Sequence, residues 1–311
     1  MKNTKKLTLP KKLEPGDRVG VVSPAGVVDP EILDKGLASL KLMGLTPILG
    51  KHVLSRHRFC AGSDKDRAKD IMTMIADEKI KAVFCARGGY GVNRVIPHLD
   101  LNIIRRNPKI IVGSSDITLL LLYLNQRGAM VTFHGPMIAG SFGRHPMKKS
   151  KKQFYRLLTG DDTGKKLTSP QARIFKPGTA RGPVTGGCLT LLCRSLKTPW
   201  EIQTKGKILL IEDVNEAPYR IDGMLWQLKQ ARKFDDVKGI VLGEMINCQA
   251  PKGAGWSLDD VLRDVFADCA FPIVANFPVG HGTEMWTVPF GVDAALDTGS
   301  KSIEFKNCGV D

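Results

Sequence analysis

The first half of the chain alternates short apolar strands with amphipathic helices, and this alternation restricts the possible folds more than any other feature. The strand patterns cover 18–22, 46–49, 81–86, 109–112 and 130–133, and the helical patterns cover 30–43, 64–76 and 116–126. Near-continuous apolar strands separated by helices are typical of a parallel sheet covered on both faces. Loops at the carboxyl ends of such strands are where functional residues gather.

The second half returns to the same pattern after a change of composition. Residues 143–182 are basic and rich in Gly, Pro and Thr, with one helical stretch near 154–158, and are predicted to form a largely irregular connection. Strand patterns then follow at 208–211, 239–242, 272–275 and 294–296, with helices at 220–231 and 258–266. We therefore predict an α/β protein with a Rossmann-like or flavodoxin-like parallel-sheet domain over 1–142, the interdomain connection over 143–182, and a smaller C-terminal α/β domain over 183–311. A chain of 311 residues is long enough for two separate cores.

Charge and hydropathy argue against two classes of partner. The formal net charge is +15, but the basic residues are spread along the chain and aromatic residues make up only 6% of it. A nucleic-acid-binding module is not recognisable, so we expect no nucleic-acid partner and interpret the charge as a basic surface suited to an anionic substrate. No apolar run approaches the length that spans a bilayer, so no membrane partner is expected.

The N-terminal segment and the cysteines predict a cytoplasmic location. Residues 1–17 are basic but have no apolar core, which argues against a secretory signal peptide. The seven cysteines form no CxxC pair, and an odd number cannot all be bridged within one chain. A reducing compartment fits this pattern best.

Motifs for nucleotide cofactors and metals are missing. The loops SPAG (23–26) and RGGYG (87–91) follow strands, but neither matches the dinucleotide or Walker pattern. The six histidines are dispersed, and the sequence contains no HExxH motif and no Cys/His cluster. We therefore predict an activity that requires no metal and no cofactor.

The sequence GSSD (113–116) joins a β-branched strand to an apolar helix. A serine in a tight strand-to-helix turn is exposed and lies near free backbone N–H groups at the positive end of the helix, as a nucleophilic serine requires. Taken alone, Ser114, Ser115 and Asp116 more often have the simpler role of capping a helix. The rest of the chain has to decide between the two interpretations.

A nucleophilic serine needs a base and an orienting acid. The best base is His281, which follows an apolar strand and lies between two glycines, and His134 is its rival. The acid candidates are Glu212, at the end of an apolar strand, and Glu216, four residues later. A lone histidine more often has a structural role, with its ring bonded to a backbone carbonyl. Glu216 is also consistent with a favourable position at a helix N-terminus.

The RGGYG loop offers groups that could bind substrate. Its glycines could donate backbone N–H groups to a developing oxyanion, as could the amide of Asp116. Arg87 could pair with a substrate carboxylate in bidentate fashion. The simpler interpretation of the loop is a tight turn between strand and helix.

These motifs together carry a family resemblance. The ordered set SPAG, ARGGYG, GSSDIT, TFHGPM, GGCLTLL, LIEDVNEAPYRID and GHGTEMWTVPFG resembles the LD-carboxypeptidase family of serine peptidases, from about Leu13 to the C-terminal strands. The resemblance implies a catalytic triad of Ser115, His281 and Glu212.

The same resemblance assigns roles to the residues around that triad. It implies that the N–H groups of Gly89 and Asp116 form the oxyanion hole, and that Arg87, Gly88 and Tyr90 of the ARGGYG motif bind substrate. The family often has asparagine in a GGNL motif, where this chain has Cys188. That departure bears on the details of substrate binding but on no member of the triad.

The activity implied by the resemblance is that of a cytoplasmic carboxypeptidase acting on murein peptides. Such an enzyme releases the C-terminal D-Ala from the tetrapeptide L-Ala-D-Glu-meso-diaminopimelate-D-Ala during cell-wall recycling. The alternative is an immunity peptidase that cleaves microcin C-like peptidyl or aminoacyl nucleotides, because the family includes such enzymes. The resemblance also suggests a homodimer.

Overall fold

The structure is a computed structural model that describes residues 7–311. Residues 1–6, part of the basic N-terminal segment noted above, lie outside the described residues. The strands are β1 (Arg18–Val22), β2 (Thr46–Leu49), β3 (Ile80–Cys85), β4 (Ile110–Gly113), β5 (Thr132–His134), β6 (Lys166–Thr168), β7 (Arg173–Lys176), β8 (Thr179–Cys188), β9 (Ile208–Val214), β10 (Gly239–Ile246), β11 (Ile273–Phe277), β12 (Val288–Phe290), β13 (Asp293–Asp297) and β14 (Ser302–Phe305). The α-helices are α1 (Pro30–Leu42), α2 (Asp64–Ala76), α3 (Val92–Val95), α4 (Leu101–Arg106), α5 (Thr118–Gln126), α6 (Lys148–Leu158), α7 (Leu189–Ser195), α8 (Pro218–Gln230) and α9 (Leu258–Val265). The chain is therefore an α/β protein, as the sequence predicts.

The first sheet has the strand order β12-β5-β4-β3-β1-β2, in which β1 to β5 run parallel to one another and the edge strand β12 is antiparallel to β5. Apolar β-branched runs such as RVGVV in β1 and IIVG in β4 are buried along most of their length, as expected for a sheet covered on both faces. Polar caps start the helices between them. The Asp29 carboxylate accepts the N–H of Glu31 before α1, and the Ser63 hydroxyl accepts the N–H of Asp66 before α2.

The second sheet has the order β6-β14-β13-β8-β9-β10-β11-β7. Its central strands β8 to β11 are parallel, and the strands on either side of them are antiparallel. Within residues 7–311 this sheet has eight strands and the first sheet has six. The second sheet therefore combines strands of the predicted C-terminal unit with β6 and β7, which lie within residues 143–182.

The prediction of an irregular connection over residues 143–182 is wrong. This segment contains α6, β6, β7 and the start of β8. Strands β6 and β7 are only three and four residues long and carry no apolar run, and they form because they pair with β14 and β11. Partners more than 90 residues away leave no local signal, which is why the pattern in this segment indicates a loop.

The two halves share an apolar core. One cluster of buried side chains joins residues of the first half, such as Val112 and Phe133, to Val184, Ile208 and Phe277 of the second half. A second cluster consists of side chains of the second sheet and its helices together with Leu122 of α5. The two separate cores expected from the length are therefore not observed. The proposed division at residues 142 and 183 stays a prediction.

Candidate active site

The GSSD sequence forms the sharp turn that the sequence predicts. Strand β4 ends at Gly113, Ser114 is extended, and Ser115 begins a 3-10 turn (Ser115–Ile117) that leads into α5. Ser115 has a φ of 57°, a left-handed conformation that costs a non-glycine residue about 1–2 kcal/mol. Ser114 is buried with 2% of its surface exposed, whereas Ser115 is partly exposed. Of the two hydroxyl groups, the one on Ser115 is therefore the better placed to meet a substrate.

The RGGYG loop lies directly against Ser115. A Cβ atom placed on Gly88 would lie 2.8 Å from Ser115 Cβ and 2.9 Å from Ser115 Oγ, so only glycine fits without displacing that side chain. The carbonyl of Gly88 accepts the N–H of Gly26 at 3.0 Å. The Gly88 carbonyl and the Gly89 N–H belong to one trans peptide bond and point in opposite directions. The Gly89 N–H is therefore directed away from Gly26. Gly89 has a φ of 120°, a conformation that a side chain would strain.

Asp116 ties the turn to this loop through its side chain. Its carboxylate is 2% exposed and accepts the backbone N–H of Val92, at the start of α3, at 2.9 Å. Burial raises the pKa of Asp116 to about 6, although the hydrogen bond from Val92 opposes the shift. The sequence predicts a role for the backbone amide of Asp116 in the oxyanion hole. The structure adds an anchoring role for the carboxylate, which fixes the glycine loop next to Ser115.

Glu212 and His281 form a hydrogen-bonded pair. Glu212 lies on β9 and is fully buried, and His281 lies in the loop after β11 with 20% of its side chain exposed. His281 Nδ1 is 2.7 Å from Glu212 Oε2. Gly280 has a φ of 118°, and a Cβ there would lie 2.6 Å from the same carboxylate oxygen. A glycine before the histidine is thus required for the pair to form.

The pKa shifts of both residues favour a protonated His281 beside an ionised Glu212. Burial by itself would lower the pKa of His281, but the Glu212 carboxylate and its hydrogen bond outweigh burial and raise that pKa above its usual 6.5. Burial would likewise raise the pKa of Glu212, but the facing imidazole outweighs it and lowers that pKa below 4.5. An imidazole held in this way is a stronger base than a free histidine.

The rival candidates lie elsewhere in the site. His134 is fully buried, stacks on the Phe290 ring, and has its Nε2 atom 3.9 Å from Glu212 Oε1. Burial lowers the pKa of His134 to about 4, so this imidazole is neutral at physiological pH and is enclosed beside the acid. Glu216 faces Arg220 at 3.5 Å, just before α8. Neither rival replaces a member of the Glu212–His281 pair.

Contacts between the two halves bring the serine turn next to the strand that carries the acid. The Thr118 hydroxyl, three residues after Ser115, accepts the N–H of Cys188 at 3.3 Å. Cys188 ends β8 and is in register with Glu212 on β9. Within residues 7–311 the Ser115 hydroxyl makes no hydrogen bond to His281. Such catalytic hydrogen bonds are often long in enzymes without substrate.

The remaining predicted residues lie around this site. The Arg87 side chain is exposed, and its Nη1 atom donates to the Val27 carbonyl at 2.7 Å. Tyr90 is 39% exposed. The Cys188 thiol is buried, and its sulfur lies 3.6 Å from Asp213 Oδ1. Burial raises the pKa of this thiol, which is therefore a neutral packing group beneath the site.

Residues 7–311 contain no group of three or more His, Cys, Asp or Glu side chains placed to hold a metal ion. In the same residues, no helix is both long and apolar enough to cross a membrane.

A partly exposed serine in a strained strand-to-helix turn, beside a buried carboxylate–imidazole pair, defines a serine hydrolase. Comparison with known protein families narrows this class. The model of the LD-carboxypeptidase N-terminal domain matches residues 19–135, and that of the C-terminal domain matches residues 181–296. The chain belongs to the LD-carboxypeptidase family and is a carboxypeptidase of that family.

Individual relatives agree with this assignment. The chain is 41% identical to the probable murein peptide carboxypeptidase of Bacillus subtilis, over 94% of this chain and 92% of the relative. It is 30% identical to the murein tetrapeptide carboxypeptidase of Pseudomonas aeruginosa, over 90% of this chain and 93% of the relative. The solved structure of the microcin C7 self-immunity protein MccF, a protein of Escherichia coli, in complex with aspartyl sulfamoyl adenosine has a TM-score of 0.89 and 26% identity, covering 98% of this chain and 100% of the other.

Proposed function

We propose that this protein is a murein tetrapeptide carboxypeptidase that removes the C-terminal D-Ala from L-Ala-D-Glu-meso-diaminopimelate-D-Ala in cell-wall recycling. The hydrogen bond of 2.7 Å between His281 and Glu212, beside the Ser115 turn, is the observation that carries the proposal. The names of two relatives, from Bacillus subtilis and Pseudomonas aeruginosa, support the choice of a murein peptide.

The proposed chemistry uses Ser115, His281 and Glu212 as a triad. His281 Nε2 takes the hydroxyl proton while Ser115 Oγ attacks the carbonyl carbon that precedes D-Ala. The Nδ1–H group of the imidazolium donates to Glu212, which holds the tautomer and stabilises the positive charge. His281 then gives its proton to the leaving amine, and D-Ala departs from an acyl-enzyme. Water, activated by the same imidazole, hydrolyses the ester and restores the serine.

The proposed oxyanion hole consists of the backbone N–H groups of Gly89 and Asp116. Charge develops on the carbonyl oxygen during attack, and fixed amide donors stabilise it more than they stabilise the substrate. Two features of the site support this role. The Gly88 backbone is packed against Ser115, and the Asp116 carboxylate holds the glycine loop in place through Val92.

The test is a mass-spectrometric assay of the purified protein with murein tripeptide, tetrapeptide and pentapeptide side by side. We expect loss of one alanine from the tetrapeptide and no cleavage of the tripeptide. A tetrapeptide that ends in L-Ala serves as the stereochemical control, and the Ser115→Ala protein serves as the enzyme control. Absence of D-Ala release by the unaltered protein would exclude the proposed activity.

One observation favours the second candidate, cleavage of a peptidyl or aminoacyl nucleotide. The exposed rings of Tyr90 and Phe59 lie beside Arg87, with their centroids 5.5 Å apart in an edge-to-face arrangement. A nucleobase could stack on such rings. Competition between the tetrapeptide and an aspartyl sulfamoyl adenosine of the kind bound by MccF separates the candidates. A kcat/KM that is higher for the nucleoside favours the second.

We also propose that the protein is cytoplasmic and acts as a homodimer on an anionic peptide. The seven cysteines are all free thiols and six of them are buried, which suits a reducing compartment. The homodimer is inferred from the family resemblance. Light scattering coupled to size-exclusion chromatography measures the mass directly, and a mass near 34.1 kDa would correspond to a monomer and exclude the dimer.

A further inference from the structure

A pocket of about 470 Å³ lies next to the glycine loop. Arg56, Arg58 and Arg87 line it together with the rings of Phe59 and Tyr90. Gly89, whose N–H is proposed for the oxyanion hole, is also part of its wall. The pocket is therefore adjacent to the position where the scissile carbonyl would bind.

The charge in this pocket is not balanced by the protein. No carboxylate lines it, and within residues 7–311 none of its arginines forms a salt bridge. The neighbouring arginines differ in this respect, because Arg67 and Arg94 both pair with Asp64. Several arginines that line one pocket without a carboxylate partner are typical of a site for carboxylate or phosphate.

Backbone hydrogen bonds hold the segment that carries two of these arginines. His57 and Cys60 exchange N–H to carbonyl hydrogen bonds of 2.8 and 3.0 Å, which close a tight turn around Arg58 and Phe59. The turn is fixed to the first sheet's loops, since Val27 N–H donates to the Phe59 carbonyl and the Cys60 thiol donates to the Tyr90 carbonyl. Arg58 has a φ of 56°, which is a strained conformation for arginine. The backbone that carries Arg58 is thus fixed before any ligand binds, so less backbone entropy is lost on binding.

We propose that Arg56, Arg58 and Arg87 form a subsite for an anionic group of the substrate other than the carboxylate released with the last residue. This inference rests on the proposed function, and in the murein tetrapeptide the groups of this kind are the free carboxylates of D-Glu and diaminopimelate. In a peptidyl nucleotide, the corresponding group is the phosphate or sulfamate. The two sources share their oxyanion chemistry, and substrate choice in the experiment distinguishes them.

The experiment compares two peptides on two variants. The peptides are the tetrapeptide and the same peptide with the carboxyl groups of D-Glu and the diaminopimelate side chain converted to amides. The variants are the double substitution Arg56→Gln with Arg58→Gln, and the control Arg232→Gln, which removes an exposed arginine that pairs with Asp235. We expect the double variant to raise KM for the acidic peptide at least tenfold and to lower kcat less than threefold. The amidated peptide should have nearly the same KM with the double variant as with the unaltered protein, and the control should match the unaltered protein on both.

Each outcome decides one question. An unchanged KM for the acidic peptide, or equal losses on both peptides, overturns the subsite. If the Gln double variant melts at a lower temperature than the unaltered protein, the double variant Arg56→Lys with Arg58→Lys is used instead. It keeps both charges and should restore most of the affinity for the acidic peptide. If the unaltered protein cleaves neither peptide, the proposed function fails, and the same variants are then tested for cleavage of aspartyl sulfamoyl adenosine. Loss of affinity for that compound assigns the subsite to a nucleotide anion, and no loss rejects it.

Discussion

Replacing Glu212 by Gln tests the acid–base pair most directly. The substitution preserves the shape of the buried side chain but removes the charge that faces His281 at 2.7 Å. A glutamine amide that donates to Nδ1 forces the imidazole proton onto Nε2, where it blocks acceptance of the Ser115 proton. In serine proteases the equivalent change lowers kcat about 10⁴-fold, and we expect a loss of the same order, equal to about 5.4 kcal/mol of transition-state stabilisation.

The same substitution changes the pH profile in a defined direction. In the unaltered protein, kcat/KM should fall as the pH drops through the raised pKa of His281, above 6.5, because the protonated imidazole is no base. Without the Glu212 carboxylate, burial outweighs the smaller effect of Asp213 and lowers the pKa of His281, so the acidic limb of any residual activity moves to lower pH. Initial rates of D-Ala release between pH 5 and 9 measure both effects.

Stability provides an independent readout of the pair. Because the pKa of His281 is raised in the folded protein, protonation of His281 stabilises the fold. This stabilisation is fully present below pH 6.5 and is lost as the pH rises through the pKa of the folded state. Because the pKa of Glu212 is lowered in the folded protein, ionisation of Glu212 also stabilises the fold. This stabilisation is present above pH 4.5 and is lost as the pH falls through the pKa of the folded state. Thermal unfolding of the unaltered protein and of Glu212→Gln should therefore differ most between about pH 4.5 and 6.5.

The matched control is Glu216→Gln, four residues along the chain. Glu216 faces Arg220 at 3.5 Å near the surface, where an ion pair contributes about 0–1 kcal/mol. Its removal should change kcat less than about twofold, because it contacts neither His281 nor the serine turn. If Glu216→Gln is as damaging as Glu212→Gln, or if Glu212→Gln keeps near-normal activity, the assignment of the acid is wrong.

Three further substitutions probe the rest of the site. Ser115→Ala should lower kcat by about 10⁴ or more and leave the melting temperature nearly unchanged, as tested by D-Ala release and calorimetry; normal turnover would exclude Ser115 as the nucleophile. Gly88→Ala places a methyl group 2.8 Å from Ser115 Cβ, which displaces the serine and should lower kcat about 100-fold. An unchanged kcat would contradict the close contact between Gly88 and Ser115. Cys188→Ala removes a buried neutral thiol and should lower the free energy of unfolding, measured by urea titration, by about 1 kcal/mol. It should alter kcat less than threefold. A large loss of kcat would mean that the thiol acts in catalysis.

The first sheet was predictable because its signals are local. Each strand is an apolar β-branched run, each helix is amphipathic or apolar, and polar caps such as Asp29 and Ser63 mark where helices begin. The predicted bounds of β1, β2 and α2 agree with the structure, and those of β3 to β5 differ by one or two residues. The antiparallel strand β13 also has a local signal, whereas β6, β7 and β14 have none and form by pairing with partners far along the chain.

The candidate site was partly predictable for the same reason. The GSSD turn follows from a strand and a helix that meet at four residues, so local sequence is enough to indicate an exposed serine. The choice between His281 and His134 depends on which side of Glu212 each ring occupies. That is a matter of tertiary packing, so the glycines around His281 only favoured it over His134 as the base, and the family resemblance agreed with that preference.

Packing also explains why the base depends on parts of the chain that carry no chemistry. The loop with His281 leaves β11 in the second sheet and continues into β12, which pairs with β5 in the first sheet, so its two ends are fixed to different sheets. Between them, the Glu284 carboxylate accepts the N–H of Ser150, at the start of α6, and the Met285 N–H donates to the Ser150 hydroxyl. Helix α6 belongs to the segment whose composition indicates only a connection. The position of the imidazole is therefore set by the way the two sheets pack, since the loop that carries it is fixed to both sheets and to the segment between them.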